Sequence, residues 1–281
     1  MKFTNMRRLL VMACCAGSVA EAQVELVTNA APQCVFFGEA RSISATFHNP
    51  GGQDYRQDVR TVVSQASSAT AVSLGEKPWK ELRVLPQQTV LESARLDFSP
   101  VKAETKFIVQ WVENPNHVIG KTEVLVYPTN LLRELKVLMD DSEDNLGVLD
   151  PHNQLKPALK QATIHFVDLS ETEMDSFHGK LAIIGPSVPD DPEWGGLADR
   201  IARVARKGTP VVWIQLPPPK RDKIWPSFYT VPENTNAVVV VHPELAADLT
   251  DNPQSQLNLI YFCKLALQAE PFRLPDLTTQ P

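Results

Sequence analysis

The distribution of apolar residues changes near Pro128, and this change constrains the possible fold more than any other feature of the chain. Before it, polar and apolar residues alternate in short runs, as in residues 42–47 and 107–112. After it, continuous apolar runs such as residues 211–214 and 237–241 are separated by helical patterns. Alternation is typical of strands with one wet face, whereas continuous runs indicate strands covered on both faces. The sequence therefore predicts two units of different fold class.

The first unit, residues 23–128, is predicted to be an antiparallel β-sandwich, because short alternating runs follow one another with no helical period between them. Beyond the run at residues 42–47, the alternating runs are residues 59–63, 82–85, 91–98, 107–112 and 118–127. Residues 48–52 supply turn-forming side chains between the first two of these runs. This spacing predicts a β-hairpin.

The second unit, residues 145–270, is predicted to be a doubly wound parallel α/β domain with right-handed crossovers. The predicted strands are residues 146–150, 163–167, 180–184, 209–214 and 237–241, and the predicted helices are residues 154–161, 197–207 and 253–267. The apolar face predicted for the last helix consists of Leu257, Ile260, Tyr261, Lys264 and Leu265. Residues 271–281 are predicted to be a C-terminal tail.

Residues 129–144 are predicted to link the two units through an amphipathic helix and an acidic loop. Asn130 is a candidate cap for this helix. The acidic run at residues 140–144 lacks the glycine and the terminal glutamate that a calcium loop places at fixed offsets. We therefore expect a solvated linker there.

The first 22 residues have the three parts of a secretory signal. Basic residues precede an uncharged stretch at residues 9–20, and Ala20 and Ala22 supply the small side chains that a signal peptidase inspects. Cleavage after Ala22 is predicted, which implies a periplasmic or secreted protein. The alternative is a lipoprotein anchored through a lipid on Cys14.

Charge and cysteine content restrict the possible partners. Removing Lys2, Arg7, Arg8 and Glu21 with the signal leaves 24 basic and 32 acidic residues, a net charge of −8. Such a surface gives no electrostatic footprint for nucleic acid, and no later stretch is apolar and long enough to predict a transmembrane span. The two cysteines of the mature chain, Cys34 and Cys263, are predicted to be separate buried thiols, and the alternative is a single disulfide between the two units.

Two resemblances follow from these patterns. The Phe-His-Asn-Pro-Gly turn at residues 47–51 resembles the immunoglobulin-like and CARDB-like β-domains of exported bacterial proteins. Residues 147–151, 180–186 and 205–212 resemble the non-catalytic class I glutamine amidotransferase-like (flavodoxin-like) domains that occur near carbohydrate-processing systems. The combination is similar to uncharacterised exported proteins of Verrucomicrobia-type bacteria, and this likeness implies no particular activity.

An amidotransferase needs a cysteine nucleophile after a central strand, and this chain has Trp-Ile-Gln-Leu-Pro at residues 213–217 instead. Ser187 lacks the Gly-x-Ser-x-Gly elbow of a serine hydrolase. The six histidines are scattered, and no dinucleotide or Walker loop follows a strand. We therefore predict no catalytic residue, metal or cofactor.

Ligands of open α/β sheets bind beyond the carboxyl ends of the strands, near the point where strand order reverses. The side chains that the sequence places there are Asp150, His152, Gly185, Ser187 and Gln215. They form the candidate ligand-binding crevice. The alternative is local: Asp150 caps the following helix, and Gln215 bonds neighbouring backbone.

Two functions agree with this sequence. The first is an exported, non-enzymatic binding or scaffolding protein whose partner is an unidentified protein or glycan. The alternative is a hydrolase that acts on carbohydrate or amide substrates through the crevice.

Overall fold

The computed structural model describes residues 23–67, 70–129, 131–170, 172–188, 196–216, 228–233 and 236–268. The predicted signal segment at residues 1–22, the candidate cap Asn130 and the predicted tail at residues 271–281 lie outside these ranges. The described chain combines an all-β part with an α/β part.

The first eight strands form two sheets, which we call the paired sheets. They are β1 (Glu25–Val27), β2 (Gln33–Phe36), β3 (Gly38–His48), β4 (Tyr55–Ala66), β5 (Ala71–Val84), β6 (Thr89–Phe98), β7 (Thr105–Glu113) and β8 (His117–Tyr127). One sheet has the order β1-β3-β6 and the other the order β2-β8-β7-β4-β5. Neighbouring strands are antiparallel except for β2 and β8, which are parallel.

One hydrophobic core lies between the paired sheets. Phe47 of β3 contacts Trp111 of β7 edge to face, with 5.5 Å between ring centroids, and both side chains are fully buried. The indole N–H of Trp111 donates to Oγ1 of Thr122 at 2.9 Å. Each sheet thus presents its apolar positions to the other, as the period-two pattern predicts.

The predicted hairpin between β3 and β4 is wrong, because these strands belong to different sheets. The buried Asn49 directs the chain across the core. Its Nδ2 donates to the carbonyl oxygens of Gln53 at 2.8 Å and Val84 at 3.0 Å, and its Oδ1 accepts the N–H of Gly51 at 2.9 Å. Residues 48–52 are therefore a connection, held by the bonds of Asn49, through which the chain passes from one of the paired sheets to the other.

Strand β5 is longer than the predicted run at residues 82–85, since it begins at Ala71. It is an edge strand, and its residues 71–78 are all exposed. Side chains join it to β6, the edge of the other sheet: the Trp79 indole donates to the carbonyl of Ser93 at 3.2 Å, and Lys80 pairs with Glu92. These contacts close one side of the paired sheets.

The remaining strands form one six-stranded sheet. They are β9 (Leu146–Leu149), β10 (Val167–Asp168), β11 (Leu181–Ser187), β12 (Val211–Gln215), β13 (Phe228–Glu233) and β14 (Asn236–Val241). The order is β10-β9-β11-β12-β14-β13, with all neighbours parallel except β13 and β14. The sequence pattern did not predict β13. It also predicted too long a second strand, because residues 163–166 precede β10.

Within the described ranges, the α-helices that accompany this sheet are α1 (Arg133–Leu138), α2 (Lys156–Gln161), α3 (Leu197–Arg206) and α4 (Pro253–Gln268). Separate apolar clusters cover its two faces, one with Val212 and Val239, the other with Ile184 and Val240. Burial on both sides explains the continuous apolar runs of the central strands.

The apolar face predicted for α4 is confirmed only in part. Ile260 is buried and Leu265 packs against the same core, but Tyr261 is 54% exposed. The residues of α4 that pack into the core are Leu259, Ile260, Phe262, Cys263 and Ala266. Helix α4 has apolar residues on several sides, so a single stripe could not be identified from spacing alone.

Helix α4 and the turn before it also contact the paired sheets. Nη1 of Arg41 in β3 lies 2.6 Å from Oδ1 of Asp251, and Sγ of Cys34 in β2 donates to Oε1 of Gln254 at 3.6 Å. On its other side α4 is tied to α1 by the pair Lys264 and Glu134. Within the described residues, no helix is both long and apolar enough to cross a membrane.

Candidate functional site

The order of the six-stranded sheet reverses between β9 and β11, with β10 on one side and β12 on the other. Such a reversal is where open α/β sheets bind ligands. Asp150 directly follows β9, and Gly185 and Ser187 lie in the last three residues of β11. The structure therefore brings these predicted crevice residues to the expected edge of the sheet.

The Asp150 carboxylate is engaged by the backbone that leads into α2. Its Oδ1 accepts the N–H of Gln154 at 3.0 Å, and its Oδ2 accepts those of Leu155 at 2.7 Å and Lys156 at 2.9 Å. The residue is 4% exposed. Leu155 is the N-cap residue of α2 and Lys156 its first residue, and their N–H groups are among those that a helix start leaves unpaired. Asp150 therefore caps α2 from a position before the helix.

Gly185 makes room for this cap. A Cβ at residue 185 would lie 2.8 Å from Oδ1 of Asp150 and 3.3 Å from the carbonyl oxygen of Leu149. A Cβ at this position would therefore force the Asp150 carboxylate or the neighbouring backbone to move. The glycine thus permits the close approach of the carboxylate to β11.

Ser187 and Gln215 are register partners on neighbouring strands. The Ser187 hydroxyl is completely buried and accepts the indole N–H of Trp213 at 2.9 Å. Gln215 is 7% exposed. A buried hydroxyl held by an indole has no access to a substrate, which argues against a nucleophilic role for Ser187.

His152 is exposed, and no described residue forms a hydrogen bond with it. The carboxylate of Asp150 is turned toward the backbone of α2, as its three bonds show. Asp150, His152 and Ser187 therefore do not form the hydrogen-bonded chain of a catalytic triad.

Sequence reasoning missed a cluster of titratable groups at one end of the paired sheets. Glu113 lies between the hydroxyl of the buried Tyr55 and Nδ1 of His117, which is 2.7 Å from its Oε1. Burial and the neighbouring Glu113 raise the pKa of Tyr55. This cluster borders a cavity of about 600 Å³ that Gln23 and Asp54 also line. The sequence signal for this pair is the Asn-Pro-Asn turn at residues 114–116, because it places Glu113 and His117 opposite each other at the ends of β7 and β8.

A second cavity, of about 290 Å³, lies between the paired sheets and the helices of the six-stranded sheet. It is lined by Phe36, Arg41, Thr129, Leu132, Arg133, Ala158, Gln161, Ala162, Thr250 and Gln256. We call it the Arg41 cavity. These residues come from distant parts of the chain, so no local sequence motif predicts the cavity.

The described residues contain no group of three or more His, Cys, Asp or Glu side chains placed to hold a metal ion. Lys156 and Asp168 form the ion pair nearest the start of α2, with 2.6 Å between Nζ and Oδ2. Burial works against the charge on Asp168, but its bonds to Lys156 and Ser170 prevail and lower its pKa. This pair joins α2 to β10.

No protein-family model and no curated protein matches the chain. Solved structures resemble parts of it. The Pseudomonas fluorescens alkylpurine DNA glycosylase AlkC is 14% identical at a TM-score of 0.28, over 38% of this chain and 31% of its own. The Listeria innocua beta-glucosidase is 14% identical at a TM-score of 0.29, over 38% of this chain and 17% of its own.

A Niemann-Pick type C2 protein from the Japanese carpenter ant is 8% identical at a TM-score of 0.26, over 33% of this chain and 78% of its own. The chain thus spans less than a third of the glycosylase and about a sixth of the glucosidase. At these scores the likeness carries no argument about function.

Proposed function

We propose that this chain is an exported, non-enzymatic binding or scaffolding protein, built from an immunoglobulin-like β-sandwich and a degenerate amidotransferase-like α/β domain. Its partner is a protein or a glycan. Support for the β-sandwich comes from two sheets that share one core. Support for the doubly wound domain comes from the order β10-β9-β11-β12-β14, which follows the flavodoxin-like pattern.

One observation carries the non-enzymatic assignment: the polar groups at the strand-order reversal are already committed to local structure. Asp150 accepts three backbone N–H groups, and the Ser187 hydroxyl is buried against Trp213. A nucleophile needs an exposed atom and a base within hydrogen-bond reach. Neither residue meets this requirement.

Turnover measurements on the purified protein test the proposal. The substrates are glutamine, simple amides, esters and glycosides, and the variants are Asp150→Ala and Ser187→Ala. Asp58→Ala on the exposed side of β4 is the matched control. We expect no turnover above the uncatalysed rate. Turnover that disappears in Asp150→Ala or Ser187→Ala but persists in Asp58→Ala would establish the hydrolase alternative instead.

A further inference from the structure

The three-stranded sheet β1-β3-β6 has one face that is open to solvent. The buried residues of β3, among them Ile43 and Phe47, point into the core between the paired sheets. Because successive side chains of a strand point to opposite faces, residues 42, 44, 46 and 48 lie on the other side of the sheet. Residues 25 and 27 of β1 and the odd-numbered residues 89–97 of β6 lie on that side with them, as the strand pairing shows. We call this surface the outer face.

Leu91 is the most exposed apolar residue of the outer face, at 72%. It lies opposite Thr46 of β3, and Val27, which is 45% exposed, lies opposite Thr46 on the other side. The three residues form one row across the sheet. The next row contains Ser44 and Ser93, whose small side chains allow a second surface to approach closely. Contact with such a surface removes Leu91 and Val27 from water, which favours association.

Two opposite charges occupy diagonal corners of the outer face. Glu25 of β1 lies opposite His48 at one end of β3. Arg95 of β6 lies opposite Ser42, six residues away along the same strand. Neither Glu25 nor Arg95 forms an ion pair with another described residue. The face therefore carries one unpaired acid and one unpaired base, far apart from each other.

These corners and Leu91 are related by a simple symmetry. With about 3.4 Å per residue along a strand and about 4.8 Å between strands, the backbone of Leu91 is about 12 Å from that of Glu25 and about 14 Å from that of Arg95. When two copies stack outer face to outer face about a two-fold axis, residues on the axis face themselves. An axis that places Glu25 of one copy over Arg95 of the other runs through the points equally far from both. It therefore passes close to Leu91.

We propose that the outer face is the contact surface of a reversible homodimer. Leu91 packs against Leu91 of the second copy, and Glu25 of each copy pairs with Arg95 of the other. The symmetry forms this ion pair twice. Exposed ion pairs contribute little free energy, so the apolar row supplies most of the attraction and the charges fix the register.

The size of the face limits the strength of this dimer. Three strands of this length cover roughly 350 Å² per copy, well below the roughly 800 Å² per partner of a standard interface. The dimer is therefore weak and forms at high protein concentration. Asp97, the other acidic residue of the outer face, does not oppose it, because Lys77 neutralises its charge.

The inference goes beyond the proposed function, because it names a second copy of the chain as one partner and gives the surface that it occupies. It also stands independently of the turnover measurements, since the outer face belongs to the paired sheets and the crevice to the six-stranded sheet.

Sedimentation velocity on the purified protein over a wide concentration range tests the inference. We expect a reversible equilibrium between monomer and dimer. Leu91→Asp should weaken the dimer at least tenfold, because it places two like charges together on the axis. Val72→Asp is the matched control, since Val72 is 60% exposed but lies on β5, outside the outer face. It should leave the equilibrium unchanged. Circular dichroism establishes that each variant is folded.

Charge exchange then tests the register. Glu25→Arg and Arg95→Glu should each weaken self-association at least tenfold, because each brings like charges together at both corners. A mixture of these two single variants should associate as the wild type does, since every corner again pairs an acid with a base. The double variant Glu25→Arg/Arg95→Glu should also regain wild-type association.

A protein that stays monomeric at every concentration would overturn the inference and leave the outer face to a different partner. Wild-type association in Leu91→Asp would overturn it as well, since the contact would then lie elsewhere. A mixture of the two charge variants that associates no better than either variant alone would contradict the proposed pairing.

Discussion

Gly185 and Asp150 are in contact across neighbouring strands so closely that a methyl group on Gly185 would lie 2.8 Å from Oδ1 of Asp150. The carboxylate needs this position to accept the N–H groups at the start of α2. The glycine and the cap therefore form one unit at the reversal of strand order. Substitutions of Gly185 and of Asp150 test whether the two residues depend on each other.

Gly185→Ala should destabilise the fold by about 1 to 3 kcal/mol, because the new methyl group forces the carboxylate or the strand to move. Urea unfolding measures the effect. Gly52→Ala is the control, since a Cβ at residue 52 meets no atom within 4 Å. It should change stability by less than about 1 kcal/mol. Equal stabilities of the two variants would contradict the crowding argument.

Asp150→Ala should cost about 1 to 2 kcal/mol, the usual cost of removing a helix cap. Asp150→Asn retains one acceptor oxygen and should cost less. The free energy of unfolding in urea checks both, with Asp58→Ala as a control at an exposed position. A loss in Asp150→Ala no larger than in the control would show that the cap contributes nothing.

The two thiols should react slowly in the native protein. Burial raises the pKa of Cys34 and of Cys263, so the reactive thiolate is scarce at neutral pH. Labelling of the half-buried Cys34 by an alkylating reagent should accelerate as the pH rises, and Cys263, which is fully buried, should react more slowly throughout. Mass spectrometry of the labelled protein follows both sites.

After denaturation without reductant, both thiols should be labelled. Labelling of neither would reveal a disulfide between them. Because the unfolded thiols ionise near pH 8.5 and the folded ones only at higher pH, this linkage should lower the stability of the fold as the pH rises above about 8.5.

Exported material should begin at Gln23, since the predicted signal ends at Ala22. Intact mass spectrometry reads the N-terminus directly. A mass that includes a lipid on Cys14 would establish the lipoprotein alternative and a membrane-anchored protein.

Strands were predicted well where the burial pattern was the same along the whole strand, with either alternate residues or all residues buried. Strands β6 and β8 alternate between a wet and a buried face, and β14 is covered on both faces, so the apolar pattern revealed each of them. The first part of strand β5 was not predicted, because residues 71–78 are exposed at the edge of the sheet and have no buried face. Because both faces of these residues contact water, burial imposes no apolar pattern on this part of the strand.

Sheet membership was harder to predict than strand position. Residues 48–52 contain the side chains of a hairpin turn, yet Asn49 uses its amide to join β3 to the opposite sheet. Turn composition limits local backbone conformation, but the partner strand is chosen by long-range packing.

The placement of Asp150, Gly185 and Ser187 at one edge of the sheet could be predicted because parallel strands place their carboxyl ends at the same edge. The local use of Asp150 also followed from its position before a helix. The Arg41 cavity could not be anticipated, since Arg41 and Gln256 meet only after the paired sheets pack against α4.

Gln23, the predicted first residue of the mature chain, immediately precedes the buried Val24 and lies two residues before the first strand. If Cys14 carried a lipid, only residues 15–22 would lie between the anchor and Gln23, a tether of about 30 Å at full extension. Gln23 lines the same cavity as Glu113 and His117. A lipidated form would therefore hold that end of the paired sheets close to the bilayer surface, whereas the cleaved form leaves it open to the surrounding fluid.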